Sequence, residues 1–431
     1  MKKKHYLCGA FAPPCTLEIR IFRTQKMKKL LRIIVGMALL LLLPMGASAQ
    51  GKAVADTTLS VAERNALQGF NDSIDRLADD FIEAYIVIAD PSPQLYSVLG
   101  HCALHLKCGT FDLDYVYSYE SEDATQKVLS FLAGHLKMGL FAVPIDTYCQ
   151  LYQEEGRGVR QYRLNLSPAE KQELWRILDK EVARGADLDY DYYHRGCANS
   201  CVRFVKKALH GKRIHYAPWE REYVTGRELG REHTREALWM RFWICFIAGN
   251  EIDKPLYKEA QLIMPEDLVS AWQKATIDGH PLLAQEPEIL VESTNQKSQG
   301  WFTPLVFALI VLILCIANLF WNKPFFDWAM LSIQTLLGVL MTYLLFISDL
   351  CCTDWNWLYI VFNPLPAIFW YWRKYWVLPY CGAQLIWCVA MMYMILTGQV
   401  LVDWSHIILA LAFCVVLAKQ SPLLQPLHSK K

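Results

Sequence analysis

The chain carries almost no net charge and lacks the short motifs of nucleotide and serine-hydrolase chemistry. Its 43 Lys and Arg residues balance 42 Asp and Glu residues, which leaves +1 over 431 residues. Such a balance creates no long-range field that would attract nucleic acid. The sequence also has no phosphate-binding loop, no dinucleotide fingerprint, no Gly-x-Ser-x-Gly elbow and no internal repeat. We therefore expect no nucleic-acid partner and no nucleotide cofactor.

Apolar residues are abundant and unevenly distributed. They make up 54% of the chain, and their excess lies after Trp301. Each of five apolar segments is near the length that spans the hydrocarbon core of a bilayer. These segments cover roughly residues 302–321, 327–348, 355–371, 376–398 and 401–418. Basic and acidic connections alternate between them, so the positive-inside rule predicts an integral membrane protein with a cytoplasmic C-terminus. The third segment contains Pro364 and Pro366, and it either spans the membrane or is re-entrant.

The N-terminal region contains a second possible start and an export signal. From Met27 the chain has a basic start, an apolar run and the small-x-small sequence Ala47-Ser48-Ala49. This pattern predicts a cleaved signal peptide over residues 27–49, with residues 1–26 a mis-called start. Export would place the next domain where disulfides can form. Six cysteines lie there, an even number whose pairing the sequence leaves open: Cys102, Cys108, Cys149, Cys197, Cys201 and Cys245.

Composition and turn signals divide the rest of the chain. We predict a helical lead-in over residues 50–82 and a domain of mixed strands and helices over residues 83–275. A polar linker is expected over residues 276–300, followed by the membrane segments within 301–418 and a tail over 419–431. Ser167-Pro168-Ala169-Glu170 predicts a capping box at the start of one helix.

The most informative stretch, residues 190–201, places a cysteine where a glycine-containing loop enters an amphipathic helix. Unpaired N–H groups at a helix N-terminus stabilise negative charge and so favour the reactive thiolate. Cys197 or Cys201 supplies the thiol, and His101 on a predicted strand supplies the base. Asp112 on the next predicted strand is placed to orient the imidazole, and Asp114 shares its face as the substitute.

The same residues also suggest a zinc site, which the predicted secondary structure disfavours. His101-x3-His105 and Cys197-x3-Cys201 together supply four zinc-ligand side chains. Four residues along a strand span about 13 Å, which is too far for two ligands of one ion. The turn at Cys108-Gly109 favours a strand here. We therefore expect no metal, and we expect His105 to lie at the surface of that strand.

Five short motifs follow one another in order from residue 90 into the membrane region. They are Asp90-Pro91-Ser92-Pro93 through Leu99-Gly100-His101-Cys102-Ala103-Leu104, Cys108-Gly109-Thr110-Phe111-Asp112, Gly156-Arg157-Gly158-Val159 through Leu164-Asn165-Leu166-Ser167, Tyr190-Asp191-Tyr192 before Cys197, and Asn356-Trp357 with Phe362-Asn363-Pro364-Leu365. In order and spacing they resemble those of the Lnb-type lipoprotein N-acyltransferase family. The exported domain of that family is distantly similar to permuted papain-like, NlpC-type thiol hydrolases.

The resemblance implies an α+β fold: a permuted papain-like exported domain followed by a five-helix transmembrane domain. It implies a bacterial inner-membrane protein whose catalytic domain is periplasmic. Cys197 would be the nucleophile and His101 the base, and the spacing from Tyr190 favours Cys197 over Cys201. The chain departs from the family at Gly196, where Asn is usual, and at Ala198-Asn199-Ser200, where a Thr-Arg pair usually follows the cysteine.

The implied reaction moves an acyl chain from a membrane phospholipid, through a cysteine thioester, to the N-terminal amine of a diacylglyceryl lipoprotein. Two alternatives stay open. One is a membrane-anchored periplasmic thiol peptidase or amidase that acts on cell-wall peptides with the same Cys-His pair. The other is a non-catalytic, membrane-anchored binding module in which the cysteines are oxidised.

Overall fold

The computed structural model describes residues 82–92, 97–111, 113–122, 126–185, 188–294, 300–371, 374–399 and 401–421. The predicted signal peptide, the sequence before it, the helical lead-in up to residue 81, Asp112 and residues 422–431 of the tail lie outside the described residues. Two parts are named below: the sheet domain, residues 82–294, and the helical region, residues 300–421.

The sheet domain contains eleven strands among its described residues. They are β1 (Ile82–Ala89), β2 (His101–Cys108), β3 (Leu113–Ser121), β4 (Lys137–Pro144), β5 (Val159–Arg163), β6 (Leu188–Asp189), β7 (Tyr223–Thr225), β8 (Pro255–Tyr257), β9 (Thr276–Ile277), β10 (His280–Pro281) and β11 (Glu288–Val291). Seven of them form one sheet in the order β11-β5-β1-β2-β3-β4-β6. Every pairing within this sheet is antiparallel.

Helices connect and cover the strands. In the sheet domain they are α1 (Val128–Ala133), α2 (Ile145–Glu154), α3 (Pro168–Val182), α4 (Tyr192–Arg195), α5 (Cys197–Ala208), α6 (Gly226–His233), α7 (Leu238–Ile247) and α8 (Pro265–Gln273). The helical region contains α9 (Pro304–Trp321), α10 (Pro324–Phe346), α11 (Leu365–Tyr371), α12 (Val377–Leu396) and α13 (Trp404–Lys419). The predicted capping box is confirmed at the start of α3, where Ser167 accepts from the Glu170 N–H and Glu170 accepts from the Ser167 N–H.

The sheet is covered on both faces, and this arrangement creates the main core. On one face, α3 and α5 bury Leu174, Trp175 and Phe204 against Leu104 and other strand residues. On the other face, α2 contributes Tyr148 and Tyr152, which pack against Ala103, Val116 and Val159 of three strands. Because side chains alternate along a strand, neighbouring residues of β2 enter different cores.

The predicted linker over residues 276–300 is wrong for much of its length. Three strands lie there, and β11 extends the main sheet by pairing with β5. Val291 is buried on the sheet, and Gln161 donates to Glu288 across the pair at 2.7 Å. This edge strand is only four residues long and lies between the polar sequences Gln285-Glu286-Pro287 and Glu292-Ser293-Thr294, so the region as a whole has the composition of a linker.

In the helical region, three helices are long and apolar enough to cross a membrane, counted among the described residues: α9, α10 and α12. Helix α13 is shorter, and it packs against all three of them. The third predicted segment is broken into a 3-10 turn, Trp357–Ile360, and α11. At this break the Val361 carbonyl accepts from Gln334 at 3.1 Å and from Gln384 at 3.4 Å, which satisfies a backbone group that a continuous helix would have paired.

The segment between α10 and the 3-10 turn, residues 347–356, lies against the sheet domain and is called the docking loop below. Its Asp349 N–H donates to the Ala133 carbonyl at 3.0 Å. The Gly249 N–H donates to the Cys352 carbonyl at 2.7 Å, and the Asn250 N–H donates to the Asp354 carbonyl at 3.0 Å. All three bonds join backbone groups, so the two parts of the chain meet with little room for extra atoms.

A second contact joins the two parts at the start of α13. Asp403 occupies the N-cap of that helix, and its side chain forms ion pairs with Arg231 and Arg241 of the sheet domain. Asp403 is 7% exposed. Removing one partner of a buried ion pair leaves an uncompensated charge and costs about 3–5 kcal/mol. This cluster therefore holds α6 and α7 against the helical region.

Changing Gly249 to Ala tests the docking loop. A Cβ at residue 249 would overlap the Asp354 carbonyl, whereas a Cβ at Gly230, in α6, would meet open space. We expect Gly249→Ala to destabilise the protein by about 1–3 kcal/mol, as overpacking does. Gly230→Ala is the matched control and should be neutral or slightly stabilising. Thermal unfolding of the detergent-purified variants measures both effects, and an unchanged midpoint for Gly249→Ala would contradict the close contact.

Candidate active site

The predicted nucleophile and base both lie at the ends of elements that pack together. Cys197 is the first residue of α5, with Gly196 at the N-cap, and His101 is the first residue of β2. Helix α5 is amphipathic, and its buried Phe204 and Val205 lie in the same core as β2. Burial of that apolar face brings the start of the helix to the start of the strand.

The structure brings Cys197 and His101 into contact. The ring of His101 acts on the Cys197 thiol, as do the thiol and the backbone N–H of Cys102, and these interactions set the pKa of Cys197. The hydrogen bond from the Cys102 thiol lowers the pKa of Cys197 most. Burial works against this shift, while the charge and hydrogen bond of His101 add to it, so the pKa falls well below the usual value. Cys197 is therefore held toward the thiolate form.

Cys102 keeps its proton in this arrangement. Burial raises its pKa, and hydrogen bonds with Cys197 and Cys201 raise it further, well above the usual value. Cys102 thus acts as an S–H donor to the Cys197 sulfur. Because it follows His101 directly on β2, its side chain lies on the other face of the strand, in the core that contains α5.

A serine and a glutamate of β3 contact the other side of His101. The His101 Nε2 lies 2.7 Å from Ser118 Oγ and 3.3 Å from Glu120 Oε1. Burial by itself would lower the pKa of His101. Interactions with Tyr152, Glu120 and Cys197 outweigh burial and raise that pKa well above its usual value.

Glu120 is arranged as a carboxylate. Burial would raise its pKa, but the charge and hydrogen bond of His101 and a hydrogen bond from Ser118 lower it. Ser118 Oγ donates to Glu120 Oε1 at 2.5 Å. The site therefore has three charges in a row, thiolate, imidazolium and carboxylate, with the positive group between the two negative ones.

The other predicted orienting residues are placed differently. Asp112 lies outside the described residues. Asp114 contacts His105, with its Oδ1 2.5 Å from His105 Nε2, instead of His101. The expectation that His105 lies at the surface is wrong, because it is 2% exposed and its Nδ1 lies 2.6 Å from Gln161 Oε1. Both ring nitrogens of His105 therefore have hydrogen-bond partners, which offsets the free-energy cost of burying the ring.

Cys201, the alternative nucleophile, lies one helical turn after Cys197. Its Sγ is 4.0 Å from that of Cys102, and its side chain is 4% exposed. The structure places none of the cysteines Cys102, Cys197 and Cys201 in a disulfide. The structure thus groups three thiols, of Cys102, Cys197 and Cys201, and His101 contacts that of Cys197.

The departure at Gly196 has a steric reason. A Cβ at this position would overlap the Tyr192 carbonyl at the start of α4. The short helix α4 is held to α5 by the side-chain amide of Asn199, which donates to the Tyr193 carbonyl at 2.9 Å. The tight connection from α4 to α5 therefore requires glycine before the cysteine, and Asn199 stabilises it.

This geometry suits nucleophilic attack on a carbonyl. The N–H groups of the first turn of α5 are the unpaired donors of a helix N-terminus and lie beside the sulfur. Such donors stabilise the oxyanion of a tetrahedral intermediate. His101 is placed to accept and donate the proton.

Sequence reasoning missed Ser118, Glu120 and Cys102. The signal for the first two is strand register: Leu104 pairs with Tyr117 and His105 with Val116. Continuing that register by three residues places Glu120 opposite His101. Asp114 and Glu120 share a face, but six residues separate them along β3.

Comparison with protein families gives two matches along the chain. The family described as the Lnb N-terminal periplasmic domain matches residues 75–225, and the Lnb transmembrane domain matches residues 295–425. The chain belongs to the Lnb family. No curated protein and no solved structure matches the chain. The periplasmic match contains His101, Glu120 and Cys197. Together the two matches indicate an inner-membrane protein with a periplasmic N-terminal part.

Glu120→Gln tests whether the Glu120 carboxylate controls the pKa values of His101 and Cys197. Loss of the carboxylate should lower the pKa of His101, and a weaker imidazolium should raise the pKa of Cys197. We expect the pH midpoint of Cys197 alkylation by iodoacetamide to rise by about one unit, measured by site-resolved mass spectrometry. Asp114→Asn is the matched control on the same strand face, and its midpoint should equal that of the wild type. Equal midpoints for both variants would rule out a role for Glu120.

Cys102→Ala tests the S–H donor. A hydrogen bond to a charged group is worth about 1.5–3 kcal/mol, so the alkylation midpoint of Cys197 should rise by about 1–2 units. Cys201→Ala removes a neighbouring thiol of the same size and should shift the midpoint much less. A larger shift for Cys201→Ala than for Cys102→Ala would contradict the assignment.

Proposed function

We propose that this protein is a membrane-bound N-acyltransferase of exported lipoproteins. It would move an acyl chain from a phospholipid, through a thioester on Cys197, to the N-terminal amine of a diacylglyceryl lipoprotein. The observation that carries the proposal is the pairing of Cys197, at the start of α5, with His101, at the start of β2, whose ring contacts Glu120. Membership of the Lnb family and the contact of the same domain with the helical region support it.

The first half-reaction acylates the enzyme. The Cys197 thiolate attacks an ester carbonyl of the phospholipid, and the first-turn N–H groups of α5 stabilise the oxyanion. Collapse of this intermediate breaks the carbon–oxygen bond of the ester. The His101 imidazolium donates its proton to the leaving alkoxide, which departs as a lysophospholipid.

The second half-reaction regenerates the thiolate. The neutral α-amine of the lipoprotein attacks the thioester, and His101, now neutral, accepts a proton from the nitrogen. The carbon–sulfur bond breaks, and the products are an amide and the thiolate–imidazolium pair. We assign to Glu120 the orienting role that the sequence suggested for Asp112 or Asp114, because Glu120 contacts the imidazole.

Apolar residues near the nucleophile support a lipid substrate. In helix α1, Leu129 is 82% exposed and Val128 is 49% exposed. The end of this helix contacts the docking loop. Phe131 of the same helix packs edge-on against Tyr190, with ring centroids 6.0 Å apart. Tyr190 precedes α4 and the nucleophile. Exposed apolar residues of α1 thus lie on the helix that joins the docking loop to the segment before Cys197.

We also propose that five segments cross the membrane and that the C-terminus is cytoplasmic. Asn318, Asp327 and Lys419, at one end of α9, α10 and α13, form a buried cluster: Asn318 donates to Asp327 at 2.7 Å and Lys419 lies 2.8 Å from it. The opposite ends of α9 and α13 contact the sheet domain. The start of α12 packs near that buried cluster, beside Leu331 and Leu417. Residues 357–371 must then cross between the two sides, which supports a spanning third segment.

The papain-like relationship is likewise a proposal. A nucleophilic cysteine at the start of a helix and a histidine on a sheet strand are the features that papain-like enzymes share. In papain-like proteases the cysteine precedes the histidine in the chain. Here His101 precedes Cys197, which is the order that a permutation produces.

Cys197→Ser decides the assignment. We expect loss of lipoprotein N-acylation, measured by mass spectrometry of a reporter lipoprotein from cells in which this protein supplies the activity. Cys149→Ser, a half-buried cysteine of α2, is the control and should leave acylation unchanged. Unchanged acylation in Cys197→Ser would refute the proposal. Cleavage of cell-wall peptides by the wild type without a lipid donor would favour the amidase, and Cys197 found in a native disulfide would favour the binding module.

A further inference from the structure

A second group of reactive side chains lies outside the Cys197 site, at the contact between the sheet domain and the docking loop. His194 belongs to α4, Glu251 to the 3-10 turn Asn250–Asp253, and Cys352 to the docking loop. Among the described residues, these are the three whose ligand atoms all come within 4.8 Å of one another as a possible metal cluster. They come from three distant parts of the sequence, so no sequence motif with a fixed spacing predicts this group.

The separations are close to those of a metal site. The Nε2 of His194 lies 3.6 Å from Glu251 Oε1. Two ligands of a tetrahedral zinc ion, each about 2.1 Å from the metal, stand roughly 3.4 Å apart. The Cys352 sulfur lies within 4.8 Å of the ligand atoms of the other two residues, and the side chains of His194 and Glu251 are 48% and 33% exposed.

The histidine is already oriented for metal binding. Asp191 lies 3.1 Å from His194 Nδ1, which leaves Nε2 directed at Glu251. A carboxylate that holds the far nitrogen of a ligating histidine is the usual outer partner in zinc sites. Asp191 also caps α4 by accepting from the His194 N–H at 2.9 Å, so the carboxylate is itself held in place.

The backbone holds the cysteine toward this group. Cys352 has a φ of 59°, a left-handed conformation that non-glycine residues seldom adopt. Its carbonyl accepts from the Gly249 N–H, two residues before Glu251. Local strain that persists in a folded chain often marks a functional position. Lys254, 72% exposed and 3.6 Å from Glu251, is the cation that a bound metal would displace.

We propose that His194, Glu251 and Cys352 bind one Zn²⁺ ion, which links the segment before the nucleophile, the 250–253 turn and the docking loop. Nitrogen, carboxylate and thiolate are the three ligand types that zinc accepts, and three protein ligands leave a fourth position for water. Binding replaces the thiol proton of Cys352 with the metal, and that proton passes to solvent. The ion would stabilise the docked arrangement because it binds all three segments only in the folded state.

Metal binding by the full-length protein in detergent and reducing agent tests this proposal. After chelation and dialysis, the protein should retain about one equivalent of added Zn²⁺ by elemental mass spectrometry. Added Co²⁺ should give a thiolate-to-cobalt charge-transfer absorption. Cys352→Ser should abolish that absorption and weaken Zn²⁺ binding at least about tenfold. Glu251→Gln should weaken binding similarly, and it carries the test if Cys352→Ser does not fold.

Two controls locate the ion. Cys149→Ser should bind Zn²⁺ as the wild type does. Cys197→Ala should do so too, although it removes a thiol from the other group of histidine and cysteine side chains, that of His101, Cys102 and Cys201. No retained zinc in the wild type would overturn the proposal. So would zinc that survives both Cys352→Ser and Glu251→Gln, zinc lost in Cys197→Ala, or a Cys351–Cys352 disulfide in the native protein. None of these readouts depends on acyl transfer, so the two proposals fail separately.

Discussion

The backbone contact between the docking loop and the sheet domain determines where the nucleophile stands relative to the membrane. Peptide groups of Asp349, Cys352 and Asp354 pair with the peptide groups of Ala133, Gly249 and Asn250. Backbone pairing leaves less freedom than contacts between long side chains, because no rotamer can absorb a shift. The end of α10 and the start of the broken third segment are therefore held against the same domain that presents Cys197.

The active-site charges are arranged so that the central group is positive. Burying a thiolate alone would be costly, and the imidazolium of His101 offsets that cost. Glu120 in turn offsets the charge on the imidazolium, and its side chain is 45% exposed, which gives that end of the row access to water. Cys197 is 6% exposed, whereas nearly half of the Glu120 side chain is accessible to solvent. Charge is thus stabilised by partners inside the protein at the sulfur and by solvent at the carboxylate.

Local features of the fold were predictable, and features that depend on register were not. The turn at Cys108-Gly109 predicted the β2–β3 hairpin, the Ser167 capping box predicted α3, and the apolar runs predicted α9, α10 and α12 to within a few residues. Family membership was predictable because several short motifs kept their order, and the family matches confirm it.

The contacts of the site were harder to predict. Asp114 and Glu120 both point to the face of β3 that carries His101 and His105 on β2, and only the pairing register decides which acid meets which histidine. Burial of His105 between Asp114 and Gln161 requires knowledge of β5, 56 residues away. The edge strand β11 is only four residues long and lies between polar residues, so it was not distinguished from a linker. In each case the deciding partner is distant in sequence.

The glycine before the nucleophile limits how this chain can change. Its lack of a side chain lets the Tyr192 carbonyl lie where a Cβ would otherwise be. An Asn at this position, which the resemblance implied, would need a different course of the chain through α4. The two positions are therefore coupled: a substitution at 196 becomes tolerable only after the turn at 192–195 has opened. The effect of a change at position 196 therefore depends on the course of the four residues before it.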